Sequence, residues 1–258
     1  MNTKFLITAD SNRSALLKKK IIHYYIANGD ATIAELCKEM DLSIPTVTKL
    51  VGELLDDGYI LDFGKQETNG GRKPNIYGLN PVSGYFVGVD VFRSKINIAA
   101  VDFKGDKLRV EENIPYSLEN TPEALEMLCN LINDFIDRLS VPREKVLAVG
   151  VNISGRVNPV SGYSYSIFYF EEKPLSQILE ERIKIKIYIE NDTRAMMYGE
   201  YMQGVVKGEK NILFINMGWG LGLSIFINGE LYYGKSGFSG EFGHFCFFDN
   251  EILCHCGK

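Results

Sequence analysis

The sequence predicts an α/β protein in two parts: a small three-helix unit with a β-hairpin, then a larger mixed α/β unit. Three observations carry this. Apolar residues recur at helical spacing through the first 57 positions, with stops at Asn28-Gly29 and Gly58. From Gly84 three strand-like runs follow one another without a helix between them. After Thr121 helical and strand patterns alternate, the order of a mixed sheet that begins antiparallel.

The elements follow in order. SALLKKKIIHYYIANG places Leu16, Leu17, Ile21, Ile22, Tyr25 and Ile26 at helical spacing. ATIAELCKEMD puts Ile33, Leu36, Cys37 and Met40 on one face. Thr32 is its cap and Glu35 stands three residues on, a capping box. LSIPTVTKLVGELLDDGYI starts with Ser43 as cap and Pro45 in the first turn, and buries Val47, Leu50, Val51, Leu54 and Leu55. Three short helices on tight turns form a helix-turn-helix layout. YILDFGKQETNGGRKPNIYGLN then reads as strand, Gly-rich loop, strand, which makes a wing.

The pattern changes at Asn80-Pro81. GYFVGVDVFR, KINIAAVDF and KLRVEENIPY are strands, with a turn at Asp102 to Gly105. Thr121-Pro122-Glu123 opens a helix to about Leu139: cap, proline at the first position, acid in the first turn. VLAVGVNIS is a buried strand, PLSQILEERI a helix, IKIYIEND a strand and TRAMMYGEYMQG a helix. NILFINMG and LSIFING flank the turn GWGLG as a hairpin. The expected domains are 1–80, 81–192 and 193–258.

With 258 residues the chain is long enough for two domains. It has neither an apolar run of bilayer length nor a secretory leader pattern. Its five cysteines, at 37, 129, 246, 254 and 256, have no framework spacing, so the expected compartment is the reducing cytoplasm, with no membrane partner. Residues 1–80 hold ten basic and ten acidic residues, and the rest 18 and 23, so the whole net charge of −5 falls in the second part. Nucleic-acid binding would therefore need local clusters of Lys and Arg, not a bulk basic domain.

Such a cluster is present. In a helix-turn-helix the second helix of the motif presents its N-terminal residues to base edges. Ser43, Thr46, Thr48 and Lys49 face outward there, and Arg72 and Lys73 sit at the wing tip in NGGRKP. Hydroxyls read bases or hold phosphates, Lys49 suits a phosphate, and glycines let the tip approach a minor groove. A small helical interaction module with a solvated basic loop remains the alternative, and Lys18 to Lys20 read either as a solvated face or as phosphate contacts. At the other end, GHFCFFDNEILCHCGK sets His244, Cys254 and Cys256 at a spacing that suits zinc, which wants four ligands in a structural site. Two buried thiols are the alternative, and Cys246 reads as core.

Five dispersed stretches resemble the ROK family (repressor, open reading frame, kinase): VGVDVFRSKINIAAVDFKG, VGVNISGRVNPVSG, IENDTRAMMYGE, FINMGWGLGLSIFINGELYYGKSGFSGEFGH and CHCG, in family order over residues 86–257. The resemblance implies an actin-like (ribonuclease H-like), two-lobed sugar-kinase fold. With a winged head it implies a transcriptional repressor of sugar-metabolism genes. TVTKLVGELLDDGYI and NGGRKP also resemble the DNA-binding end of such repressors. The family's zinc motif runs Gly-His, Cys-x-Cys-Gly and then a third Cys. His244, Cys254, Cys256 and Gly257 fit it, and the chain stops at Lys258, so a zinc site truncated within the motif is expected.

The family contains both kinases and repressors. Its kinases hold nucleotide phosphates with Asp-x-Gly-Gly-Thr and Gly-Thr-Gly. Here those places read Asp90-Val91-Phe92-Arg93-Ser94 and Gly218-Trp219-Gly220, which predicts no phosphoryl transfer. Asn191, Asp192, Glu241 and His244 match the sugar-binding motifs, although Asn191 and Asp192 are also positioned to cap a helix. The expected partners are operator DNA, a sugar or sugar-phosphate effector and a second copy of the chain as homodimer or higher homo-oligomer. An ATP-dependent sugar kinase is the alternative function.

Overall fold

The structure is a computed structural model and describes residues 12–65, 74–218 and 220–245. The first helix, α1 (Arg13–Asn28), starts at Asn12, whose carboxamide oxygen accepts from the Ser14 amide at 2.8 Å. It buries Ile21, Ile22 and Tyr25, while Leu16 and Ile26 at the rim of the predicted stripe are exposed. Next come a two-residue strand β1 (Ala31–Thr32), α2 (Ile33–Met40) and α3 (Ile44–Asp56). The predicted capping box forms: the Thr32 hydroxyl accepts from the Glu35 amide and the Glu35 carboxylate accepts from the Thr32 amide.

Ser43 precedes α3, but its hydroxyl pairs with the Thr46 hydroxyl at 2.8 Å and caps no backbone amide. Two hydroxyls three residues apart satisfy each other, and the helix start relies on Pro45, whose missing N–H needs no partner. β2 (Ile60–Lys65) and β3 (Asn75–Leu79) form the antiparallel hairpin of the wing. β1 joins β3 as the third strand of that sheet. Two residues carry no periodicity, so β1 has no signature in the sequence. Leu36, Val47, Leu50, Val51, Leu54, Tyr59 and Ile60 form the core, joined by Phe103 and Leu147. Each such side chain is worth about 1.5–3 kcal/mol over exposure. Leu55 packs on it half-buried.

The second sheet contains β4 (Tyr85–Val91), β5 (Lys95–Asp102), β6 (Lys107–Pro115), β7 (Val146–Ile153) and β10 (Lys186–Asn191), in the order β10-β7-β4-β5-β6. The three consecutive strands are neighbours because short turns join them. The β5–β6 turn closes as the Asp102 carboxylate accepts from the Lys104 and Asp106 amides. Crossovers through α4 (Pro122–Asp137) and α5 (Leu175–Ile183) bring β7 and β10 to the other side of β4. β7 is buried along nearly its whole length, as its continuous apolar run requires. A short ribbon, β8 (Val157–Asn158) with β9 (Tyr163–Ser164), interrupts the crossover. After β10 comes α6 (Asp192–Gln203), then an antiparallel sheet of β11 (Ile212–Met217), β12 (Leu221–Ile227) and β13 (Glu230–Leu231).

The described residues fall into two compact units. One takes those up to Val87 with Ala99–Val110 and Leu139–Ala148, and the other takes Gly88–Ile98, Glu111–Arg138 and those from Val149 on. No helix among the described residues is long and apolar enough to cross a membrane. The described cysteines, Cys37 and Cys129, are free thiols.

Candidate functional site

Two surfaces collect the sequence-predicted residues. The first is the outer face of α3. Ser43, Thr46, Thr48 and Lys49 are all exposed, because Val47, Leu50, Val51 and Leu54 turn the opposite face into the core. The Lys49 side chain is 79% exposed and lies 3.9 Å from Glu53, a pairing too long and too wet to hold it. Arg72 and Lys73 lie outside the described residues, as do Cys246, Cys254, Cys256 and Trp219.

The second surface is built where β10 passes into α6. Asn191 is the cap of α6: its carboxamide oxygen accepts from the Arg194 amide at 3.1 Å. Its amide group donates to the Gly155 carbonyl at 3.0 Å and to one oxygen of Asp192 at 2.9 Å. Both polar ends of Asn191 are thus engaged within the protein. The same Asp192 oxygen, Oδ1, accepts from the Thr193 amide at 2.7 Å, while Oδ2 has no hydrogen-bond partner among the described residues. Capping and an open carboxylate are therefore divided between the two residues.

Asp90 on β4 faces this carboxylate electrostatically. Burial first, and the charge of Asp192 second, push its carboxyl up to about 6 against a smaller opposing effect of Lys95. The folded protein therefore holds this proton more tightly than the unfolded chain does. Its contribution to stability is lost as pH rises from 3.8 to about 6 and is level above that. Asp90→Asn is expected to remove that contribution and, allowing for solvent screening of this partly exposed carboxyl, to raise stability at pH 7 by on the order of 2 kcal/mol, read from denaturant midpoints across pH.

The hairpin that follows Asp90 is filled. Val91 is buried, Phe92 carries the Lys95 ammonium 5.3 Å from its ring, and the Arg93 carbonyl accepts from the Leu118 amide. At the second loop the Gly218 amide donates to the Gly220 carbonyl, and neither glycine is required by packing, since an added Cβ would meet nothing within 4 Å.

Glu241 and His244 bracket a 3-10 turn, Phe242–His244, with carboxylate and imidazole 3.7 Å apart and both partly exposed. Gly240 and Gly243 are dictated by close approach: a Cβ on either would strike the carbonyl of Leu223 or Leu221. Gly222 is equally constrained by Thr193. The Asn191-Asp192-Thr193 corner and the Glu241–His244 turn therefore both pack on the start of β12, at Gly222 and Leu221. Of the expected zinc ligands only His244 is described. Among the described residues no group of three or more His, Cys, Asp or Glu side chains is placed to hold a metal.

Sequence reasoning missed Arg194. It is 4% exposed and engages all three guanidinium nitrogens: Nε on Glu190 at 2.7 Å, Nη1 on the Gly237 carbonyl at 2.7 Å, Nη2 on the Val157 carbonyl at 2.6 Å. Tyr233 lies under it, ring centroid 5.2 Å away, and donates its hydroxyl to the other Glu190 oxygen at 3.0 Å. Burial and the Glu190 charge hold the Tyr233 phenol protonated well above its usual range. This network fixes α6, β8 and the 233–237 segment around Asp192.

The comparisons with known proteins agree with this architecture. Residues 16–60 match the winged helix-turn-helix DNA-binding family and residues 86–258 match the ROK family. The chain is similar to the xylose repressor of Bacillus subtilis, 28% identical over 243 residues that cover 93% of this chain and 63% of that protein. It is also similar to the N-acetylglucosamine repressor of Escherichia coli O157:H7, 28% identical over 233 residues, 89% of this chain and 57% of that one. A solved ROK family transcriptional regulator, a homolog of the E. coli MLC protein, superposes with TM-score 0.74 at 22% identity, over 94% of this chain and 63% of that one. A ROK family glucokinase from Streptomyces griseus, solved with glucose and AMPPNP, gives TM-score 0.58 at 28% identity over 68% and 55%. The chain spans about three-fifths of the length of these curated relatives. With two thirds of its residues in the family match, behind a winged helix-turn-helix, the chain belongs to the ROK family.

Proposed function

We propose that this chain is a sugar-responsive DNA-binding repressor of carbohydrate-metabolism genes. The observation that carries it is the pairing, in one chain, of an exposed α3 face of hydroxyls and Lys49 with an α6 corner that leaves one Asp192 oxygen open. The winged head takes operator DNA, with Ser43, Thr46, Thr48 and Lys49 on the duplex and Arg72 and Lys73 at the wing tip. A sugar or sugar phosphate is held by Asp192, Glu241 and His244, with Asn191 positioning Asp192. Zinc, on His244, Cys254 and Cys256, would orient the His244 ring, since one imidazole and two thiolates are donors that zinc favours. A sugar that prefers one of two states shifts the DNA-binding population, and a two-fold homodimer would ask for an inverted repeat.

Non-enzymatic function is supported by Phe92 in the first phosphate hairpin and by relatives named as repressors. Xylose and N-acetylglucosamine, for which those relatives are named, are the first effectors to try. Likeness to the glucokinase keeps one competing reading open to test: turnover of ATP with a sugar.

Lys49→Ala is expected to weaken binding to a selected duplex several-fold. It should also make the log-log salt dependence shallower by about one unit, with sugar affinity unchanged. An unchanged salt slope would remove Lys49 from the interface.

A further inference from the structure

The DNA-facing end of α3 carries an apolar side chain that the hydroxyl-and-lysine description leaves out. Ile44, the first residue of α3, is 64% exposed. A single exposed isoleucine ordinarily means nothing, because folded proteins expose many apolar atoms. Three features of its setting change that. It lies in the first turn of the helix whose N-terminal residues read base edges. It lines a groove of about 740 Å³ between α2, α3 and the wing, together with Ile33, Thr48, Lys65, Asn75 and Tyr77. Exposed Lys65 lines the groove itself and exposed Lys49 follows Thr48 on α3, a charge pattern that fits a polyanion. Thr48, one turn along, shares its side of the helix.

The neighbouring hydroxyls are partly spent. Ser43 and Thr46 hydrogen-bond to each other, whereas Ile44, exposed on the Thr48 side of the helix, has no hydrogen-bonding capacity at all. In the major groove the one apolar feature of a base pair is the thymine 5-methyl group. We propose that Ile44 is a specificity-determining residue that packs on a thymine methyl, giving the head a preference for thymine at one operator position. The inference rests on the head being a DNA-binding module, and goes beyond it by naming the base and the contacting atom.

The test uses the full chain and a duplex recovered by selection from a random pool. Each thymine is replaced in turn by uracil, which pairs identically and lacks only the methyl. At one position per half-site the wild type should lose about fourfold in affinity, the value of one buried methyl group. Ile44→Ala should bind both duplexes at about the weaker level, with a thymine-to-uracil ratio near one. Ile44→Val should keep part of the ratio, and Ile26→Ala, an exposed isoleucine on α1, should keep all of it. Position 44 is exposed, so these variants should fold, which circular dichroism checks. An Ile44→Ala ratio equal to the wild-type ratio, or no uracil-sensitive position in a specific wild-type complex, overturns the assignment to Ile44. Absence of any specific wild-type complex is a different outcome, and overturns the reading of the head itself.

Discussion

Arg194→Ala is expected to destabilise the protein by about 3–5 kcal/mol, the cost of removing one partner from a buried ion pair. The reason is the company that Arg194 keeps. Its loss leaves the Glu190 carboxylate without its guanidinium partner, and leaves two carbonyls, Val157 and Gly237, unpaired in a buried place. Arg194→Lys keeps the charge but is a point donor that cannot reach three acceptors in a plane, so it should recover only part of the loss. The control is Lys173→Ala. Lys173 also makes a short ion pair, 3.0 Å to Glu181, but both side chains are about half exposed, so the change should leave stability nearly unchanged. Denaturant midpoints at constant slope measure all three. An Arg194→Ala protein within 1 kcal/mol of wild type would show that the network is not held as described.

Asp192→Asn is expected to lower effector affinity by roughly 10- to 100-fold while leaving the fold intact, the range for one hydrogen bond to a charged group. The substitution keeps an oxygen for the Thr193 amide and the Asn191 side chain. It replaces the open oxygen with an amide nitrogen, so the acceptor offered to a sugar hydroxyl is lost and a donor stands in its place. The same variant removes the charge that raises Asp90, second only to burial, so the pH-dependent loss of stability ending at about 6 should move to lower pH. Isothermal titration with the effector and midpoints across pH read the two consequences separately. Unchanged effector affinity would take Asp192 out of the sugar site.

The legible parts of the sequence were those where one periodicity or one local rule decides. The α3 stripe of Val47, Leu50, Val51 and Leu54 needs only a 3.6-residue repeat, and its burial exposes the four residues opposite. The Thr32–Glu35 box and the Thr121 cap are local, and both form. Arg194 was illegible for the opposite reason. Two of its three partners are backbone carbonyls 37 and 43 residues away, and a carbonyl has no residue identity to read. The same holds for β1, which exists only because β3 passes beside it. Asn191 shows a mixed case: its capping role is readable from its place before a helix. That its two polar ends are used up internally depends on Gly155, which the fold brings to it.

Selection of bound duplexes from a random pool at physiological salt tests whether one chain joins operator recognition to sugar sensing. An enriched inverted repeat is expected, bound in a salt-dependent way and modulated by a sugar that Asp192→Asn no longer recognises. No enriched sequence, together with sugar-dependent consumption of ATP, would contradict it.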